Sequence, residues 1–171
     1  MIFNIEVNLR KMTTDDYSCM LGWRNDPEVM RFYGNPNDIH TMEKVIQKYQ
    51  ARVDGADRKI PCIIEYLGNP VGYLQYYELD SEQKQEYEQD AQLNMIGMDI
   101  FMGSSEHRNK GIATQAIQLL QSYLREKSIA GRIILKTAID NPTAARCYEK
   151  CGFVKIKALS EKLILMEYSF N

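Results

Sequence analysis

Histidine is nearly missing from this chain: His40 and His107 are the only two among 171 residues. The four cysteines, Cys19, Cys62, Cys147 and Cys151, are scattered and form no Cys-x-x-Cys pair. A structural zinc site needs four N or S ligands at close spacing, so no metal is expected. Cys147 and Cys151 lie one helical turn apart beside Ala145, Tyr148 and Phe153, and all four thiols read as free, small core hydrophobes. No apolar run approaches the ~18 residues of a membrane span. The opening residues Met1 to Val7 lack the basic and apolar regions of an export signal. With unpaired thiols, this gives the expectation of a cytoplasmic protein. Charge of neither sign dominates: 21 Lys and Arg stand against 23 Asp and Glu, a net charge of −2. Bulk nucleic-acid or anionic-membrane binding needs a cationic face, so neither partner is expected.

What is present is the composition of a folded chain, 44% hydrophobic and 26% charged. Its length suits one domain over 1–171, large enough to bury roughly 70% of the surface that the unfolded chain exposes. Ile5, Val7 and Leu9 alternate with polar residues as a strand does. Thr14 reads as the cap of a helix with Asp15 and Asp16 in its first turn, and Asp26-Pro27 restarts a helical turn. Thr41 opens a further helix carrying Val45, Ile46 and Tyr49. Two strands, Ile60–Tyr66 and Val71–Glu78, flank Leu67-Gly68-Asn69-Pro70, a hairpin signal. Residues 80–92 are polar and acidic and read as a long exposed connection. A strand over Met95–Phe101, a helix from Gly111 to Glu126 and a strand over Arg132–Thr137 follow. A helix opened by Asn141-Pro142 runs to Cys151, before strands at Phe153–Lys157 and Leu163–Phe170. The order predicts a mixed α/β (α+β) domain on a largely antiparallel sheet.

The segment Arg108-Asn109-Lys110-Gly111-Ile112-Ala113-Thr114 sits between a strand and an amphipathic helix. Consecutive backbone N–H groups at a helix N-terminus, reinforced by the helix dipole, suit a pyrophosphate. Arg108 and Lys110 add positive charge. Asp99 stands among Ile96, Met98, Ile100 and Phe101, where an idle carboxylate would be costly to bury. The plainer reading is an edge-strand Asp facing solvent or paired with a lysine.

The Arg-x-x-Gly-x-Ala loop resembles the acyl-coenzyme-A loop of the GNAT superfamily of N-acetyltransferases. Asn141-Pro142-Thr143-Ala144-Ala145-Arg146-Cys147-Tyr148-Glu149-Lys150-Cys151-Gly152-Phe153 is similar to that family's Asn-x-x-Ala-x-x-x-Tyr-x-x-x-Gly-Phe motif. Trp23-Arg24-Asn25-Asp26-Pro27, Phe32-Tyr33-Gly34, Pro70-Val71-Gly72-Tyr73 and Gly97-Met98-Asp99-Ile100-Phe101 resemble aminoglycoside 6′-N-acetyltransferases, over nearly the whole span from Thr14 to Tyr168.

The resemblance implies the GNAT fold and acetyl-CoA as co-substrate, with direct transfer of its acetyl group to a primary amine of a small cationic molecule. An aminoglycoside 6′-amino group is the first acceptor expected. A siderophore precursor, polyamine, amino sugar or protein N-terminus is the alternative, as is a non-catalytic coenzyme-binding module. It also implies Asp99 as base and Tyr148 as acid, although a tyrosine packed on the sheet would look the same. The coenzyme is expected on Ile100, Phe101 and Met102, on Arg108 through Thr114, and on Asn141 and Ala144. Six acids between Glu78 and Asp90 against the single Lys84 are either an acceptor-binding face or a solvated loop. The acceptor residues expected are Trp23, Tyr66, Tyr73, Glu78 and Asp80. Exposed sheet edges in this family pair into dimers, so a homodimer is an expected assembly.

Overall fold

The computed structural model describes residues 6–170. Among them, seven strands form one sheet: β1 (Val7–Lys11), β2 (Ile60–Tyr66), β3 (Asn69–Glu78), β4 (Met95–Met102), β5 (Arg132–Ala138), β6 (Val154–Ala158) and β7 (Leu163–Ser169). Their order across the sheet is β1-β2-β3-β4-β5-β7-β6. Every neighbouring pair is antiparallel except β4 and β5. The expected mixed, mostly antiparallel sheet is therefore present; Ile5 lies outside the described residues.

The helices are α1 (Tyr17–Arg24), α2 (Pro27–Met30), α3 (Met42–Val53), α4 (Ser81–Glu86), α5 (Ile112–Lys127) and α6 (Pro142–Lys150). Three expected caps operate through side chains. Asp26 accepts from the Glu28 N–H, Thr41 from Lys44 and Asn141 from Ala144. The first cap is corrected by one residue: Thr13 precedes a 3-10 turn over Thr14–Asp16 that runs into α1. Asp16 reaches back to the Thr13 N–H at 2.8 Å and is clamped by both terminal nitrogens of Arg10, each at 2.8 Å. Burial opposes the Asp16 charge, but the Arg10 and Thr13 hydrogen bonds hold its carboxyl below the usual range. Residues 80–92 are mostly exposed, as expected of a connection, but they carry the short helix α4. Asp80 caps α4, and the flanking Leu79 and Tyr87 are buried against Met95, Ile134 and Leu165.

Strand alternation sorts the core onto two faces. Leu74, Tyr76, Ile96 and Met98 face α5, which contributes Ile112, Ala116, Ile117, Leu120 and Leu124. Tyr73 and Phe101 face the opposite way, toward Met20, Met30, Val45 and Tyr49 of α1, α2 and α3. Asp99 lies two residues from Phe101 on β4 and shares this second face. Ile46, expected beside Val45 and Tyr49, is largely solvent-exposed.

β4 and β5 pair at only three positions, Met95–Arg132, Ile96–Ile133 and Gly97–Ile134. Beyond them each strand runs on without pairing to the other, and the sheet opens between them. Gly97 marks the fork, and a Cβ there would collide with the Tyr77 ring. Gly97→Ala should therefore destabilise the protein by about 1–3 kcal/mol through overpacking. Thermal unfolding should show a midpoint several degrees lower; an unchanged midpoint would show that Tyr77 is free to move away.

Candidate active site

The opening between β4 and β5 continues into a cleft of about 640 Å³. One wall is β4 from Met98 to Met102, and another is Lys136, Thr137 and Ala138 of β5. The loop before α5, the first two turns of α6 and the α2 segment from Glu28 to Tyr33 complete it. Of the residues expected at the coenzyme, Ile100, Phe101, Met102, Arg108, Asn109, Gly111, Ile112, Ala113, Thr114, Asn141 and Ala144 all line this cleft, and Lys110 does not.

The loop is shaped for an anion by its backbone. Asn109 has φ +61° and Gly111, the residue capping α5, has φ +77°. Alternating left-handed residues turn successive N–H groups toward one point, at the positive end of the α5 dipole. The His107 Nδ1 atom, buried and without a partner, lies at the same end of the cleft. Arg108 crosses to α2, donating to the Glu28 carbonyl oxygen at 3.1 Å, with its other nitrogen 3.9 Å from the Glu28 carboxylate. These groups fit a pyrophosphate-bearing ligand.

Asp99 and Tyr148 enter the cleft from opposite faces of the sheet, Asp99 from the α1–α3 face and Tyr148 from α6. The Gln75 amide donates to Asp99 at 2.7 Å. The Gln75 oxygen in turn accepts from the Tyr73 hydroxyl at 2.9 Å and from Arg52 at 2.7 Å. With its oxygen occupied by two donors, the amide can present only its NH2 to the carboxylate. Gln75 is buried and sits opposite Asp99 in the β3–β4 register. Sequence reading passed over it, although its place within the strand Tyr73-Leu74-Gln75-Tyr76-Tyr77 is the same signal that singled out Asp99: a polar residue in an apolar strand. Tyr148 packs on Phe153. Burial, with the nearby Cys147 and Asp99 charges, pushes its hydroxyl above the usual tyrosine range.

The residues expected at the acceptor lie elsewhere. Tyr73 is fully buried beneath Phe101 and Tyr49. Tyr66 packs on His107, and Trp23 on Phe101. Glu78 ends β3, its carbonyl oxygen accepting from Arg58, while the Asp80 carboxylate is 3.2 Å from Arg58. None of the five lines the cleft. The α2 side of the cleft is walled instead by Val29, Arg31, Phe32 and Tyr33, of which Phe32 and Tyr33 belong to the segments that carry the resemblance. No group of three or more His, Cys, Asp or Glu among the described residues could hold a metal ion, and no described helix is long and apolar enough to cross a membrane.

A split sheet, an anion-cradling loop and a carboxylate facing a tyrosine across the opening define a transferase cleft for a nucleotide-bearing donor. The family model described as an acetyltransferase (GNAT) domain matches residues 13–160, and the chain belongs to that family. It is an acetyltransferase, and acetyl-CoA is its co-substrate. The chain is 27% identical over 150 residues to an aminoglycoside N(6′)-acetyltransferase type 1 of Klebsiella pneumoniae, covering 88% of this chain and 75% of that protein. It is 28% identical over 163 residues to a spermidine N(1)-acetyltransferase of Vibrio cholerae, covering 95% and 87%. Among solved structures, an AAC(6′)-Ib complex with ribostamycin and coenzyme A aligns with TM-score 0.83 at 24% identity, over 96% of this chain and 93% of that one. The Vibrio cholerae spermidine N-acetyltransferase with coenzyme A and spermine aligns with TM-score 0.78 at 19% identity, over 97% and 96%. At those identities the structural likeness establishes the fold.

At Gly111 the nearest atom to an added Cβ is 3.9 Å away, so conformation and not space sets the cost of substitution. Gly111→Ala should cost about 1–2 kcal/mol for its left-handed backbone. Gly111→Asn should cost less, because Asn tolerates that region. Coenzyme A affinity by calorimetry should fall in the order Gly, Asn, Ala; equal affinities would remove the loop backbone from the binding site.

Proposed function

We propose that residues 1–171 act as one acetyltransferase domain that N-acetylates a small amine, with Asp99 as base and Tyr148 as acid. Acetyl-CoA supplies the thioester. The observation that carries the reading is the placement of Asp99 and Tyr148 on opposite walls of the cleft at the β4–β5 opening. An amine substrate arrives mostly as ammonium at neutral pH. The Asp99 carboxylate attracts that cation and takes its proton, while Gln75 holds one of its oxygens. Tyr148, kept protonated by its surroundings, donates to the departing sulfur from the other face. The loop from Arg108 to Thr114 holds the pyrophosphate.

For the acceptor, the sequence relatives support an aminoglycoside 6′-amino group first and a polyamine second. A specific feature of the cleft favours another class, an amine whose molecule also carries an anionic group. Besides Asp99, the lining holds one other carboxylate, Glu28, which Arg108 engages, whereas Arg31 and Lys136 also line it. None of the acids between Glu78 and Asp90 lines the cleft, and two of them are paired elsewhere, Asp80 with Arg58 and Glu88 with Lys157 at 3.3 Å. Thiol release with kanamycin, spermidine and an N-terminal peptide side by side separates these classes. A kcat/KM above about 10⁴ M⁻¹s⁻¹ marks an enzyme on its own substrate.

Asp99→Asn should lower kcat by about 10²–10⁴-fold, the usual contribution of a positioned base, with coenzyme A affinity unchanged. Loss of both together would make Asp99 structural. Tyr148 remains a donor at every pH below its raised pKa, so kcat/KM should show no alkaline fall below about pH 10. A fall near pH 8 that Tyr148→Phe leaves in place would assign the acid to another group.

A further inference from the structure

Acetyl transfer as proposed leaves α6 with two thiols that it does not use. Cys147 lines the coenzyme cleft beside Tyr148, and its sulfur lies 3.3 Å from the Thr114 hydroxyl. The sulfur of Cys151, one turn on and buried, lies 3.6 Å from the Thr114 carbonyl oxygen. Both sulfurs thus converge on the first turn of α5, where the helix dipole favours negative charge. The other two cysteines have no such setting. Cys62 is buried in the main core, where desolvation pushes its thiol up to about 12, and burial also raises Cys19. Cys147 alone moves the other way: hydrogen bonds from Cys151 and Thr114, with the Lys150 charge, outweigh its burial. A thiolate held by donors at a helix N-terminus, partly open to a cleft, is the setting of a reactive cysteine.

We propose that Cys147 is a thiol-exchange site inside the coenzyme cleft, capturing the disulfide of coenzyme A as a reversible block on acetyl-CoA entry. The step balances without a further oxidant. The Cys147 thiolate attacks one sulfur of the disulfide, a Cys147–S–S–CoA bond forms, the original S–S bond breaks, and coenzyme A leaves as a thiolate that takes a proton from water. The pyrophosphate loop supplies selectivity, holding the nucleotide half of the reagent close to the sulfur. Cys151 does not resolve the adduct, because its own proton is held by Cys147 and by burial. Release therefore needs an external thiol. The proposal rests on the assignment of this cleft to the coenzyme, but it requires neither Asp99 nor Tyr148 to act as assigned.

The test is intact-protein and peptide mass spectrometry after exposure of the reduced protein to coenzyme A disulfide or to hydroxyethyl disulfide at pH 7. The expected result is a single coenzyme A adduct on Cys147, at least tenfold faster with coenzyme A disulfide, suppressed by excess acetyl-CoA and reversed by dithiothreitol. Cys147→Ser should form no adduct while melting as the parent does. With hydroxyethyl disulfide, which needs no nucleotide site, the rate at Cys147 should reach half its maximum below pH 8.5, the value of a free thiol. Thr114→Val should move that midpoint upward. Absence of the adduct although coenzyme A binds, labelling of Cys19 as fast as Cys147, or a midpoint above 8.5 would overturn the proposal. Failure of the reduced protein to bind coenzyme A would remove the cleft assignment and this proposal with it.

Discussion

The parting of β4 and β5 after three paired positions is the constraint on which the rest of the molecule depends. Backbone groups that leave a ladder must find partners elsewhere. On the β3 side, β4 stays fully paired as far as Gly72–Met102. The strand is thereby held rigid on one edge, while its other edge faces the cleft beyond Gly97. A long ligand chain can meet that edge much as a further strand would. The same parting lets side chains from both faces of the sheet meet in one opening, which an unbroken sheet would prevent. Asp99 is accessible to a group on the α5–α6 face only because the layer between them is interrupted.

Holding a carboxylate at that opening has a cost, and the neighbouring strand meets it. Gln75 donates to Asp99 and is oriented by Tyr73 and Arg52, so one hydrogen-bonded chain links α3, β3 and β4. An amide is suited to this place. It stabilises the carboxylate by hydrogen bonding without neutralising it, as a guanidinium in direct contact would. Arg52 acts at one remove, its charge attenuated by distance and by Asp57 at 3.8 Å. The chain fixes the Asp99 carboxyl at the opening through a neutral donor.

Much of this was legible in the sequence because it is local. Asp26-Pro27, Thr41 and Asn141-Pro142 announce helices through caps that need only neighbouring residues, and Gly111 announces the loop through its own backbone. Asp99 stood out as a polar residue in an apolar strand. The acceptor end was not legible in the same way. Phe32 and Tyr33 reach the cleft through a turn whose direction depends on how α1 and α2 pack over Phe101, and no local pattern encodes that. The acidic run near Asp80 left a binding face and a solvated loop both open, because the partners of Asp80 and Glu88, Arg58 and Lys157, lie many residues away in sequence. Tyr73 illustrates the same difficulty. Its hydroxyl suggested a ligand contact, yet it serves the interior by fixing Gln75.

The two halves of the site therefore carry different kinds of information. The coenzyme half is built from backbone conformation and one helix terminus, features that tolerate wide change in side chains. The α2, β4 and β5 walls of the cleft are lined by side chains, where one exchange reverses the local charge. Lys136 is such a position: its ammonium rests 5.8 Å from the centre of the Tyr87 ring, on the same walls as Asp99. With Arg31 it places two cations in the same lining as the Asp99 carboxyl. The two sides of the cleft thus differ in what builds them, backbone conformation on one and side chains on the other.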